Sequence, residues 1–366
     1  MTQRNSPVPP GEAVPWFTSS TPSRERFTFD TTAGRYIVLC FLGSSADPTA
    51  TRVLADLLAR RECFDDDQAA FFGVTADPRD REQQRVRDLL PGIRFFWDMD
   101  RSICNLFGVQ RENGAIRQMT YLLDARLRVI AVLPILPGGE GHIDTLIGLL
   151  KAQEPIPPAA PALPQAPVLV VPRIFEPELC KTLIDYYDHH GGADSGYMIE
   201  RDGKTVEVVK YDHKRRRDCA LEDQQLCQSC MHRITLRLVP EIQKAFQFHA
   251  TRMERYLVAC YDATEGGHFR PHRDNTTKGT AHRRFAVSLF LNSGEYEGGQ
   301  LRFPEFGRSL YNAPTGGAVV FSCSLLHEAT PVTSGRRYMF LPFLYDEEAR
   351  RIREENQQYL ESSTEQ

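Results

Sequence analysis

Apolar residues in this chain gather in short runs whose spacing changes character along its length. Between residues 36 and 133, strand-like and helix-like stretches alternate. Tyr36 to Leu42 and Ala70 to Thr75 read as strands, and Pro48 to about Arg61 and Arg79 to about Leu90 carry helical spacing. Met119 to Asp124 and Val129 to Leu133 read as a hairpin. Alternation of this kind predicts an α/β layer.

The pattern breaks at residues 154–167, Glu-Pro-Ile-Pro-Pro-Ala-Ala-Pro-Ala-Leu-Pro-Gln-Ala-Pro. So much proline suits neither helix nor central strand and predicts an extended spacer. The expected organisation is an α/β domain over 1–153, the spacer, a second domain over 168–346 and a charged tail over 347–366, helical at first and disordered at its end. Beyond the spacer, Val168 to Pro172 reads as a strand. Glu176 to Tyr187 and Leu221 to Leu238 read as helices, and short strands run from Arg252 to Tyr345.

A length of 366 residues with 41% hydrophobic content fits two globular domains with sizeable cores. A net charge of −4 gives no general attraction to nucleic acid, and no apolar run approaches a membrane span. The N-terminus lacks the apolar core of a secretory signal, so a cytoplasmic location is expected. Nine irregularly spaced cysteines predict reduced thiols. Cys227 and Cys230, with Cys219 and His232 nearby, raise a redox pair or a zinc site. Within a helix, however, residues at i and i+3 simply share a face.

Candidate chemistry concentrates near the C-terminal end, in His272-Arg273-Asp274, His327 and Arg337. Side chains at i and i+2 of an extended segment project to one face, so His272 and Asp274 can reach one ion. A third ligand must come from a distant segment, and Gly316 to His327 reads as a strand ending in histidine. Two imidazoles and a carboxylate hold Fe(II) with three positions open. Arg337, across a turn at Thr333-Ser334-Gly335, is expected on a return strand beside the one bearing His327. Its guanidinium suits the far carboxylate of a chelating keto acid such as 2-oxoglutarate. Arg336 alternates to the surface.

These residues sit among Val258-Ala-Cys-Tyr261, His268-Phe-Arg-Pro-His272-Arg-Asp274-Asn275, Phe290-Leu-Asn292, Glu297-Gly-Gly-Gln-Leu-Arg-Phe303 and His327 to Arg337. With them, residues 168–346 resemble the prolyl 4-hydroxylase type of 2-oxoglutarate/Fe(II) dioxygenase. The resemblance implies a double-stranded β-helix, or jelly roll, buttressed by helices. It implies Fe(II) held by His272, Asp274 and His327, 2-oxoglutarate on Arg337, and Tyr261 lining the co-substrate site. It further implies O2 as oxidant, ascorbate as a candidate reductant, and hydroxylation of a protein or small-molecule C–H bond with release of succinate and CO2. Where several relatives place a second tyrosine near the co-substrate carboxylate, this chain is read as having Leu289. The alternative function is an iron- and 2-oxoglutarate-binding sensor with little turnover.

Residues 11–150 resemble the peroxiredoxin branch of the thioredoxin-like fold, through Gly11-Glu-Ala-Val-Pro-Trp-Phe17, the strand ending at Phe41, Asp98 to Val109 and the strand from Thr120. Where that family places its peroxide-attacking cysteine this chain has Ala50, and Asp47 replaces the hydroxyl residue. An alanine is no nucleophile, and a nearby acid raises a thiol pKa. The domain is therefore expected to be non-catalytic and to serve homodimerisation, substrate presentation or docking of a protein partner. One further cluster, Lys214-Arg-Arg-Arg217, is read as a solvated turn. Facing the iron pocket, it would favour an acidic or phosphorylated substrate.

Overall fold

The computed structural model describes residues 4–360. It divides into two compact units, Met1–Ala160 and Pro161–Gln366, with the division inside the proline-rich segment. No helix among the described residues is long and apolar enough to cross a membrane.

The first unit is a seven-stranded sheet in the order Arg24–Thr28, Thr18–Thr21, Ile93–Trp97, Ala69–Thr75, Tyr36–Gly43, Met119–Leu123, Val129–Pro134. The three central strands are parallel and the remaining pairs antiparallel. Ile37, Leu39 and Phe41 enter one core while Val38, Cys40 and Leu42 enter the other, which is why the strand reads as an unbroken apolar run. The first helix is Pro48–Leu58, shorter than expected, and a separate turn covers Arg61–Cys63.

The helix expected over Arg79 to Leu90 is reduced to Pro78–Glu82. Gln84 takes a left-handed backbone (φ 49°), and Leu89 bridges to Ile93. Two acids explain the break. Asp80, fully buried, accepts from the Ser45 amide and hydroxyl at 2.7 Å each, and Asp88 accepts from the Phe95 amide at 3.0 Å. Hydrogen bonds that these acids accept from non-local residues here outweigh helical spacing.

The second unit stacks two sheets. A nine-stranded sheet contains Phe285–Phe290, Arg336–Phe340, Leu257–Asp262 and Arg217–Ala220. A five-stranded sheet runs Lys214–Arg215, His268–His272, His327–Ala329, Leu301–Arg302, Leu310–Tyr311. Strand alternation divides the side chains of the larger sheet. Val258, Cys260, Val287, Leu289 and Phe340 face a core shared with the helices Pro177–His190, Gln224–Arg237 and Val239–Phe246. Ala259, Tyr261, Ala286, Phe290 and Met339 face the smaller sheet, with Phe269, Leu301 and Ala329 opposite. This is a jelly-roll sandwich with buttressing helices. The tail forms the helix Glu347–Asn356, and residues 361–366 lie outside those described.

Candidate metal centre and co-substrate pocket

Two neighbouring strands of the smaller sheet bring the histidines together. His272 and His327 are direct register partners, and Asp274 is held just past its strand by its amide bonding the Cys323 carbonyl at 3.0 Å. The expected strand from Gly316 to His327 is in fact two. Ala318–Ser322 belongs to the larger sheet, the chain turns at residues 323–326, and His327 opens a new strand in the smaller one. That corner is what puts His327 opposite His272.

One ligand atom from each of His272, Asp274 and His327 lies within 4.8 Å of the others. The imidazole Nε2 atoms stand 3.6 and 3.4 Å from the two Asp274 carboxylate oxygens. The ring orientation follows from the other nitrogen. His272 Nδ1 is 2.8 Å from the Arg270 carbonyl and His327 Nδ1 is 3.0 Å from the Leu325 carbonyl. A carbonyl only accepts, so both Nδ1 atoms carry the proton and both Nε2 lone pairs point at the centre. Burial, then the neighbouring His272, pushes His327 down to about 4, which keeps its ring neutral near pH 7. Burial raises the Asp274 carboxyl, but His327 and His272 outweigh it and hold it well below the carboxylate range.

Arg337 is 1% exposed and lines the same cavity of about 430 Å³. It does not lie beside His327 as expected. Its strand pairs with Leu257–Asp262 in the larger sheet, with Tyr261 as direct partner, so it faces the triad's sheet from the opposite layer. Its Nε and Nη2 have no hydrogen-bond partner among the described residues. Its guanidinium carbon lies 4.9 Å from the Tyr261 ring centre and 5.2 Å from that of Phe290. Gly299 makes room for it: a Cβ there would meet Arg337 Cδ at 2.6 Å, and the backbone is left-handed (φ 68°). A buried fork with two free N–H groups fits a carboxylate, and a two-nitrogen, one-carboxylate donor set fits Fe(II).

Three further expectations meet the structure here. Leu289 faces the helical core, and the residue beside Arg337 is Phe290, an aromatic ring without a hydroxyl. The basic run is no solvated turn: Lys214 and Arg216 are 3% and 6% exposed and line the cavity, whereas Arg215 and Arg217 alternate outward. Arg255, Arg283 and Ser288, which sequence reasoning passed over, also line the cavity. Cys227 and Cys230 lie on one helix, and no metal-competent cluster other than the triad occurs among the described residues.

In the first unit, Asp47 caps the helix by accepting from the Thr49 and Ala50 amides at 3.0 and 3.1 Å, and Ala50 is fully buried. The Gln118 amide, with these backbone donors, lowers the Asp47 pKa. Burial pushes the Cys40 thiol up to about 12 and the Cys104 thiol higher still.

Comparison with known proteins follows the same division. Residues 256–345 match the 2OG-Fe(II) oxygenase superfamily, and residues 10–132 match the AhpC/TSA family. A PKHD-type hydroxylase of Hyphomonas neptunium is 33% identical over 94 residues, 24% of this chain and 41% of that protein. Procollagen-lysine,2-oxoglutarate 5-dioxygenase 2 of Mus musculus is 27% identical over 178 residues, 47% of this chain and 22% of that protein. The chain thus spans less than half the length of the curated relatives it matches. Among solved structures, a Pseudomonas putida prolyl-4-hydroxylase aligns at 17% identity and TM-score 0.39, covering 50% of this chain and 93% of that one. A Xanthomonas campestris peroxiredoxin Q aligns at 21% identity and TM-score 0.32, covering 39% and 98%. The chain thus carries a segment similar to the AhpC/TSA family, residues 10–132, followed by one similar to the 2OG-Fe(II) oxygenase superfamily, residues 256–345.

Proposed function

We propose that the C-terminal domain is an Fe(II)- and 2-oxoglutarate-dependent dioxygenase that hydroxylates a C–H bond of a protein, prolyl residues included, or of a small molecule, with release of succinate and CO2. The observation that carries the proposal is the pairing of the His272, Asp274 and His327 cluster with an unpartnered buried Arg337 in one cavity. Bound together, iron, the keto acid and O2 supply the oxidising chemistry, the protein supplying placement and charge balance.

In this reading His272 and His327 donate neutral Nε2 lone pairs and Asp274 contributes the negative charge that partly offsets the ion. Arg337 fixes the direction of 2-oxoglutarate by its far carboxylate, and the Tyr261 ring holds the guanidinium in place. Phe269, Leu301 and Phe321 line the cavity with apolar surface that keeps water from the reacting centre. Ascorbate as reductant rests on the resemblance alone. Sequence similarity to proteins named PKHD-type hydroxylases supports hydroxylation as the outcome.

The N-terminal domain enters this proposal as a docking element for a partner or a second copy, without peroxidase chemistry. Ala50 at the nucleophile position and the raised pKa values of Cys40 and Cys104 support that reading. The test of the enzyme is an anaerobic titration with Fe(II) and 2-oxoglutarate, following the visible metal-to-ligand charge-transfer band. A band in the wild type that is lost in His272→Ala is expected. Its absence in both would sink the proposal.

A further inference from the structure

Of three cations lining the cavity, two share one carboxylate. Arg216 Nη2 donates to Asp218 at 2.6 Å and Arg255 Nη2 donates to the same oxygen at 3.2 Å. Lys214, almost wholly buried, donates from Nζ only to neutral acceptors, the Ser195 hydroxyl at 2.7 Å and the Gly196 carbonyl. Its ammonium lies 4.9 Å from the centre of the Phe269 ring. All three line the cavity that holds the triad.

Two further acids act on this group at longer range, Glu207 on Lys214 and Asp274 on Arg255, yet neither accepts a hydrogen bond from it among the described residues. Arg283 adds a fourth positive charge, and its guanidinium and that of Arg255 lie 4.1 and 5.5 Å from the centre of one ring, Phe343. Another buried acid, Glu254, serves Arg283, His282 and Arg353. Arg255 also holds a left-handed backbone (φ 67°), unfavourable for a side chain of this bulk. Like charges gathered in a low-dielectric wall repel, and each carries a desolvation penalty that only an opposite charge offsets. Burial, then Arg216, pushes the Lys214 ammonium down to about 6 against the opposing pull of Asp218 and Glu207, so these acids do not offset its desolvation.

We propose that Lys214, Arg216 and Arg255 form a receptor for a carboxylate carried by the molecule that is oxidised, so that its substrate is an organic acid or an acidic peptide segment. The inference rests on the dioxygenase reading and deepens it. The co-substrate has its own cation in Arg337. The two cationic centres meet at Tyr261, whose hydroxyl lies 3.4 Å from Arg216 Nη1 and whose ring centre lies 4.9 Å from the Arg337 guanidinium carbon.

The full chain is loaded with Mn(II) and saturating 2-oxoglutarate, and the paramagnetic relaxation of probe protons is compared within acid and amide pairs. N-acetyl-L-proline against N-acetyl-L-prolinamide tests a free carboxylate; acetyl-Pro-Glu-amide against acetyl-Pro-Gln-amide tests an acidic segment. In at least one pair the acid should be relaxed about tenfold more strongly than its neutral partner, the effect of one buried charge-assisted contact. That preference should vanish in Lys214→Met and Arg255→Gln and persist in Arg255→Lys, with 2-oxoglutarate affinity unchanged in all three. Equal relaxation of acid and amide in both pairs, whether large or nil, overturns the proposal, as does a preference that survives Lys214→Met. Loss of 2-oxoglutarate binding in Lys214→Met would reassign the wall to the co-substrate. A wild type that binds neither Mn(II) nor 2-oxoglutarate would overturn the dioxygenase reading itself.

Discussion

Replacing Arg337 with methionine should move two measurements in opposite directions. The side chain is 1% exposed, and two of its nitrogens lack any hydrogen-bond partner among the described residues. A buried donor without a partner costs about 1–3 kcal/mol, so an apolar replacement of similar length should stabilise the protein when no co-substrate is bound. For a unit of this size that corresponds to a rise of roughly 2–12 °C in its unfolding midpoint. With 2-oxoglutarate the sign reverses. Removing the cation from a buried carboxylate pair costs about 3–5 kcal/mol, a loss of affinity between roughly a hundred- and a few-thousand-fold. Differential scanning calorimetry of the metal-free protein reads the first effect, and anaerobic calorimetric titration of 2-oxoglutarate into the Mn(II)-loaded protein reads the second. Co-substrate affinity within threefold of wild type would refute the assignment of Arg337. A lower midpoint without co-substrate would refute the claim that its guanidinium is unsatisfied.

Other outcomes follow from the same geometry. Gly299→Ala forces Arg337 aside and strains a left-handed backbone, so it should weaken 2-oxoglutarate by at least about tenfold while Mn(II) affinity stays near wild type in the same titration. Glu254 is held at about 2 because His282 and Arg283 outweigh the burial that raises it. Its folded pKa lies below the unfolded value, so its contribution, roughly 2–3 kcal/mol, is present above about pH 4.5 and is lost as pH falls towards about 2. Chemical denaturation across that window should show a shallower pH slope in Glu254→Gln. Peroxide added to the full chain should consume no thiol at a catalytic rate, as read by a thiol-reactive dye, because Ala50 occupies the peroxide-attacking position and Cys40 and Cys104 are buried with raised pKa values. Rapid single-site oxidation would overturn the non-peroxidase reading.

The sequence by itself determined what depends on local pattern. Strands buried on both faces announced themselves as unbroken apolar runs, proline density marked the spacer, and the spacing of His272 and Asp274 marked a shared ion. Gly298-Gly299 was legible as a motif, although its reason, space for Arg337, was not. Where the reading failed, non-local contacts had decided the matter. Asp80 and Asp88 broke the expected helix by bonding backbone far from their own turn. The corner after Ser322 moved His327 into the second sheet, and that placed Arg337 across the cavity from it. Side-chain period along a strand is fixed at two, so sequence tells which residues share a face, but only packing of sheet on sheet tells which face is the inside. For that reason Lys214 and Arg216 read as a solvated turn and are instead part of the cavity wall.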